Sequence, residues 1–215
     1  MTEILSAHTS KAIRTAVHLL REGEVVAFPT DTVYGLGANA FERFAVRKIF
    51  TLKQRPLDKA LPVFITQIDD LNLVARHVPN QAWPLLQQLW PGALTVVLPK
   101  NPALPDDVTA GQPTVAVRIP DHPTCLDLVI KTGRPLAVTS ANCSGLATPA
   151  TAQAVADQLG SDLPLVLDGG PSPSSQASTL IDLSVSPPRL LRPGPISFEV
   201  LKKFLPDLVN LDDGR

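Results

Sequence analysis

Apolar positions recur at intervals of three and four along residues 10–21, where Ile13, Ala16, Val17 and Leu20 would share one helical face. Thr9 or Ser10 can cap the start of this helix, and Gly23 ends it. The period returns at 41–52, with Phe41, Ala45, Ile49 and Leu52 on one side. Residues 81–89, 124–131, 152–159 and 197–205 also read as helices, the last with Ser197 as cap and Glu199 in its first turn. Short apolar runs at 25–28, 61–65, 93–98, 114–119, 136–139, 165–167, 179–183 and 189–191 predict strands. The stretches 29–39 and 171–177, rich in Thr, Gly, Ser and Pro, read as loops. Helices and strands interleave, which predicts an α/β (α+β) domain with a mixed sheet flanked by helices. The last strands follow one another without helices, so part of that sheet should be antiparallel.

Length and composition narrow this picture. The chain has 215 residues, and we expect one domain over 1–205 with a flexible tail at 206–215. Hydrophobic residues at 44% exclude a disordered chain, and 22 prolines exclude a long-helix bundle. With 19 basic and 20 acidic residues, the net charge of −1 argues against binding driven by bulk positive charge. No apolar run approaches the roughly 20 residues of a membrane span, and the N-terminus lacks a secretory pattern, so a cytoplasmic location is expected. Cys125 and Cys143 share no metal-binding spacing, and His8, His18, His77 and His122 are scattered.

Several segments carry candidate chemistry. Gly35-Leu36-Gly37-Ala38-Asn39-Ala40 fits a dinucleotide fingerprint, but Pro29 to Tyr34 intervene between it and the preceding strand, which argues against that use. From Glu42 to Lys59 six basic residues face two acids. Arg43, Arg47 and Lys48 suit a solvated helix face. Lys53, Arg55 and Lys59 fall on a loop fixed by Pro56, where three cations can clamp a polyphosphate. Thr139-Ser140-Ala141-Asn142-Cys143-Ser144-Gly145 follows a strand, as does Pro29-Thr30-Asp31-Thr32. Each is either a ligand-binding turn at a strand end or an ordinary Ser/Asn turn. Arg118, ending an apolar strand, is either the partner of a buried acid or a carboxylate binder.

Taken in order, these segments form a set. Pro29-Thr30-Asp31-Thr32-Val33-Tyr34-Gly35-Leu36, Lys53-Gln54-Arg55-Pro56 with Lys59-Ala60-Leu61, Pro91-Gly92-Ala93-Leu94-Thr95, Val117-Arg118-Ile119-Pro120, Ser140-Ala141-Asn142-Cys143-Ser144-Gly145, Ser178-Thr179-Leu180-Ile181-Asp182 and Arg192-Pro193-Gly194 closely resemble the YrdC/Sua5 family of L-threonylcarbamoyladenylate synthases. The resemblance runs from about Ser10 to Ile196. It implies a twisted sheet with a concave, basic ligand-binding face. It also implies an enzyme, a nucleotidyltransferase that joins L-threonine, bicarbonate and ATP into threonylcarbamoyl-AMP and pyrophosphate, for the t6A modification of tRNA.

Carried over by matching positions, Arg55, Lys59, Thr114, Ser140, Thr148 and Arg192 would contact ATP, with Asn142 beside them. Lys53 and Arg55 would serve catalysis. Thr32, Arg118, Val138 through its backbone, and Ser178 would hold threonine, with Thr30 as the alternative to Thr32. Mg2+ would arrive on the ATP phosphates, with no protein side chain as ligand. A downstream tRNA threonylcarbamoyl transferase complex would take the product, and tRNA or other RNA could touch the basic face. Some two-domain members carry a histidine where this sequence has Phe64, so the threonine pocket should be more apolar here. The distance from Arg192 to the last residue resembles the single-domain branch. Two alternatives stand beside this reading: an RNA-binding module of the same fold without catalysis, and a paralogue with a different carbamoyl-adenylate substrate.

Overall fold

The computed structural model describes residues 1–174 and 176–210. The N-terminal part runs β1 (Glu3–Ser6), α1 (Ser10–Arg21), β2 (Val26–Phe28), β3 (Gly35–Asn39), α2 (Arg43–Lys53) and β4 (Val63–Phe64). The middle runs α3 (Leu71–Val74), α4 (Trp83–Leu89), β5 (Leu94–Pro99), α5 (Asp106–Thr109), β6 (Thr114–Arg118), α6 (Pro123–Thr132) and β7 (Leu136–Ser140). The rest is α7 (Ala152–Leu159), β8 (Leu165–Asp168), β9 (Thr179–Asp182), β10 (Arg189–Arg192), α8 (Phe198–Lys202) and β11 (Val209–Asn210). One mixed sheet joins the strands in the order β1-β8-β2-β3-β7-β4-β6-β5-β9-β10-β11.

Strand periodicity sorts the core onto two faces of the sheet. Along β2, Val26 and Phe28 pack with α1 and α6, through Ile13, Val17, Leu20, Leu128 and Val129. Val25 and Ala27 point the other way, into a larger core with Ile49, Leu61, Val63, Val96 and Val117. The first helix forms as its pattern predicts: the Ala12 amide donates to Thr9 Oγ1 at 3.2 Å, and Ala12, Ile13, Ala16, Val17 and Leu20 are buried. On α2, Arg43 and Arg47 stay outside and both pair with Asp107, while Lys48 pairs with Glu24 at 2.7 Å.

Three expectations need correction. Residues 35–39, read as part of a loop, form β3, antiparallel to both β2 and β7. Its glycines are there for space: a Cβ on Gly37 would lie 2.8 Å from the Phe28 ring, and one on Gly35 would lie 2.9 Å from Val138 Cγ1. Segment 3–6 was not read as a strand, yet β1 pairs in parallel with β8. The tail expected from 206 is ordered at its start. Leu208 is buried, and Val209 and Asn210 pair with Arg189 and Leu190. Residues 211–215 of that tail lie outside the described residues. Among the described residues, no helix is long and apolar enough to cross a membrane.

Candidate active site

Alternation along β6 puts Thr114, Ala116 and Arg118 on one face, a row about 13 Å long at ~3.3–3.4 Å per residue. Neighbouring strands and loops add Thr95 and Val97, Phe64, Val138 and Ser140, and Ser178 and Leu180. Together they line a cleft of about 360 Å3.

The inner end is built around Arg118, which is 3% exposed. Its Nε donates to Gly92 O at 2.9 Å, Nη1 to Thr32 Oγ1 at 3.1 Å and Nη2 to Asp31 Oδ2 at 2.6 Å. The guanidinium stands 5.6 Å from the centroid of the Phe64 ring. Burial pulls its pKa down, and the charge of Asp31 opposes that. The turn that presents Thr32 is tied by Thr30, whose Oγ1 donates to Val33 O at 2.7 Å and accepts the Thr32 amide at 3.1 Å. Of the two roles open to Arg118 in the sequence, the buried-acid partnership is therefore made, with Asp31.

Arg192 crosses from β10. Its Nε and Nη2 donate to Ser178 O at 3.1 and 2.8 Å, and Ser178 Oγ lies 2.7 Å from Thr95 Oγ1. A Cβ on Gly194 would overlap the Thr179 backbone, so glycine lets the chain pass close enough to bring Arg192 there. Burial lowers the Arg192 pKa, and repulsion from Arg118 adds to this.

Toward the loop after α2, Arg55 is oriented by its own backbone. Nε donates to Lys59 O at 3.1 Å and Nη2 to Ala60 O at 2.9 Å. Burial lowers its pKa against the attraction of Asp58. Lys53 turns the other way. Its Nζ donates to Ser140 O and Asn142 O, both at 2.5 Å, and to Asn142 Oδ1 at 3.2 Å. It is 2% exposed, and burial, then Arg55, pull its pKa to about 8 while Cys143 opposes them. The Ser144 amide donates back to Lys53 O at 2.8 Å, so the end of α2 and the 140–144 loop are laced together.

Of the residues expected from the sequence, Thr32, Arg55, Thr114, Arg118, Val138, Ser140, Ser178 and Arg192 line the cleft, as does the alternative Thr30. Lys59 and Thr148 are exposed and outside its lining. Lys53 and Asn142 are buried behind the wall, where Lys53 Nζ joins the end of α2 to the turn after β7 through Asn142 O. Val138 lines the cleft, and its amide donates to Pro62 O at 2.8 Å. Sequence reasoning missed Asp31 as the acid facing Arg118. Partnership with a buried acid was one of two roles legible at Arg118, but nothing along the chain said which acid meets it. Among the described residues no group of three or more His, Cys, Asp or Glu side chains could hold a metal ion.

Comparison with known proteins is consistent with this geometry. A threonylcarbamoyl-AMP synthase of Bacillus subtilis is 45% identical over 206 residues, 95% of this chain and 59% of that one. The protein of the same name from Pyrococcus abyssi is 43% identical over 91% of this chain and 58% of its own. The chain thus spans under two thirds of the length of these two relatives. The crystal structure of P. abyssi Sua5 complexed with L-threonine superposes with a TM-score of 0.95 at 40% identity, covering all of this chain and 64% of that one. A family model for Sua5/YciO/YrdC, described as telomere recombination, matches residues 18–194, and the chain belongs to that family.

Proposed function

We propose that the chain is a threonylcarbamoyl-AMP synthase, converting L-threonine, bicarbonate and ATP into threonylcarbamoyl-AMP and pyrophosphate for tRNA modification. The observation that carries this is the cleft itself. A buried arginine flanked by threonine and serine hydroxyls sits at the inner end, and Arg55 and Arg192 line the same wall, in a chain 45% identical to a relative of that name.

The chemistry suits this set of groups. The neutral threonine amine forms a bond to the bicarbonate carbon, a C–O bond breaks and water leaves with one amine proton, giving a carbamate that is already an anion. The carbamate oxygen forms a bond to the α-phosphorus, the bond from that phosphorus to the bridging oxygen breaks, and pyrophosphate leaves. No general base is required, so catalysis rests on positioning and on neutralising phosphate charge. Arg118 takes the threonine carboxylate with Thr32 and Ser178. Arg55, Arg192, Thr114 and Ser140 take the nucleotide, with Lys59 and Thr148 at the rim. Lys53 acts through the 140–144 loop. The side chains lining the cleft include no carboxylate, so Mg2+ fits here as an ion carried by the triphosphate, whose charge it offsets. The labile product passes to a tRNA threonylcarbamoyl transferase in the cytoplasm.

Pyrophosphate release from ATP and bicarbonate tests this reading. Release that requires L-threonine and falls with L-serine is the expected result. ATP binding without release under any amino acid would discard it for this chain, and would favour the non-catalytic RNA-binding module of the same fold.

A further inference from the structure

Asp31 is not needed for the turn on which it sits. Thr30 ties that turn, through Val33 O and the Thr32 amide. The Asp31 carboxylate instead gives one oxygen to Arg118 at 2.6 Å, and its Oδ1 is buried with no hydrogen-bond partner among the described residues. A buried carboxylate oxygen without a partner is costly and persists only for a compensating reason. That reason is visible in the local charge. Arg118 and Arg192 line the same cleft, and Arg192 feels the charge of Arg118. Two guanidinium charges against one carboxylate leave a single positive unit. His122 and Cys125, at the start of α6, also feel the charge of Asp31. Burial pushes the His122 pKa down, against the charges of Asp31 and Asp121.

We infer that Asp31 is a positioning and specificity residue acting through Arg118: it aims the guanidinium into the cleft and sets the inner end to accept one carboxylate and to reject dianions. Three of the five Arg118 N–H donors are fixed by Gly92, Thr32 and Asp31, leaving two to receive an incoming carboxylate. Without Asp31 the guanidinium loses its charge-assisted anchor, and two positive units face the ligand instead of one.

This rests on the proposed synthase reading for its kinetic test. Asp31→Ala should raise KM for L-threonine by about ten- to a hundredfold, the range of one lost charge-assisted bond, and shift KM for ATP less than twofold. Asp31→Asn keeps the acceptor and removes the charge. It should recover most of the threonine affinity, yet make inorganic sulfate a competitor of threonine at least tenfold stronger than in the wild type, at saturating ATP. Equal rises in both KM values for Asp31→Ala, or unchanged sulfate competition in Asp31→Asn, would overturn the inference. If the wild type releases no pyrophosphate, the synthase reading fails separately. Calorimetric titration of sulfate into wild type and Asp31→Asn then decides the matter, since unchanged sulfate affinity sinks the charge-setting role and a tenfold gain upholds it.

Discussion

Lys53 holds Asn142 by both ends of that residue, donating to its backbone carbonyl at 2.5 Å and to its side-chain oxygen at 3.2 Å. A lysine at the end of α2 thereby fixes the turn that follows β7, and with it Ser140 on the cleft wall. Lys53→Met removes these bonds and leaves Ser140 O and Asn142 O without their partner. We expect a stability loss of about 2–4 kcal/mol in urea denaturation. KM for ATP should rise more than tenfold, with a smaller change for threonine. An unchanged KM for ATP in a folded variant would show that the tether does not serve the nucleotide end.

The burial of Lys53 also predicts a pH effect on stability. Its pKa is about 8 in the folded chain and near 10.4 in an unfolded one. Between these values the unfolded lysine binds a proton that the folded one has released. Its contribution to unfolding free energy therefore rises with pH across that window, by up to about 1.4 kcal/mol per unit. Below pH 8 both states are protonated and the desolvation penalty is fully present. The stability of wild type minus that of Lys53→Met should become more favourable from pH 8 to 10. A flat difference would show that Lys53 keeps an ordinary pKa.

Gly37 makes room for Phe28, which is fully buried on the neighbouring strand. A methyl group at 37 would fall 2.8 and 2.9 Å from two atoms of that ring. Gly37→Ala should destabilise the fold by about 1–3 kcal/mol through overpacking. Adding Phe28→Leu should recover part of the loss, because it removes the atoms that clash. Additive losses in the double variant would mean that the two residues do not compete for this space.

These glycines also explain what the sequence could and could not reveal. The helix at 10–21 was legible to the residue because its apolar stripe and its Thr9 cap are local signals. β3 was not, because Gly-Leu-Gly-Ala-Asn has no strand propensity and its alternation shows only against Phe28 and Val138. Four-residue α3 and α5 are too short to show a period. At the site, residue types were readable and adjacency was not. Arg118 was legible as an acid partner or a carboxylate binder, while the acid that meets it stands 87 positions away. Lys53 and Arg55 looked alike as loop cations. Only the folding of residues 140–144 around one ammonium separates the tether from the cation that lines the cleft.

Tyr34 reaches from the end of the Thr30–Val33 turn to the loop after β8. Its hydroxyl donates to Gly170 O at 2.7 Å and accepts the Gly169 amide at 3.2 Å. Burial raises its pKa, with Gly169 opposing and Asp168 adding, so the phenol stays neutral and keeps its proton to donate. The same loop is held at the Ser172 amide by Ala150 O at 2.8 Å, and at the Ser174 amide by Thr32 O at 3.2 Å, before it delivers Ser178 to the cleft. Tyr34→Phe leaves the ring and removes the hydroxyl's bonds to Gly170 O, the Gly169 amide and Asp168 Oδ1, at a cost of about 1–2 kcal/mol. Hydrogen exchange at the Gly169 and Ser174 amides should speed up, since local opening of this loop then takes less free energy. KM for L-threonine should rise several-fold, because Thr32 and Ser178 are the groups this loop steadies, while KM for ATP moves less. Faster exchange with an unchanged KM for threonine would mean that the loop is ordered by Tyr34 but does not shape the inner end of the cleft. Unchanged exchange would mean that Ala150 and Thr32 hold the loop by themselves.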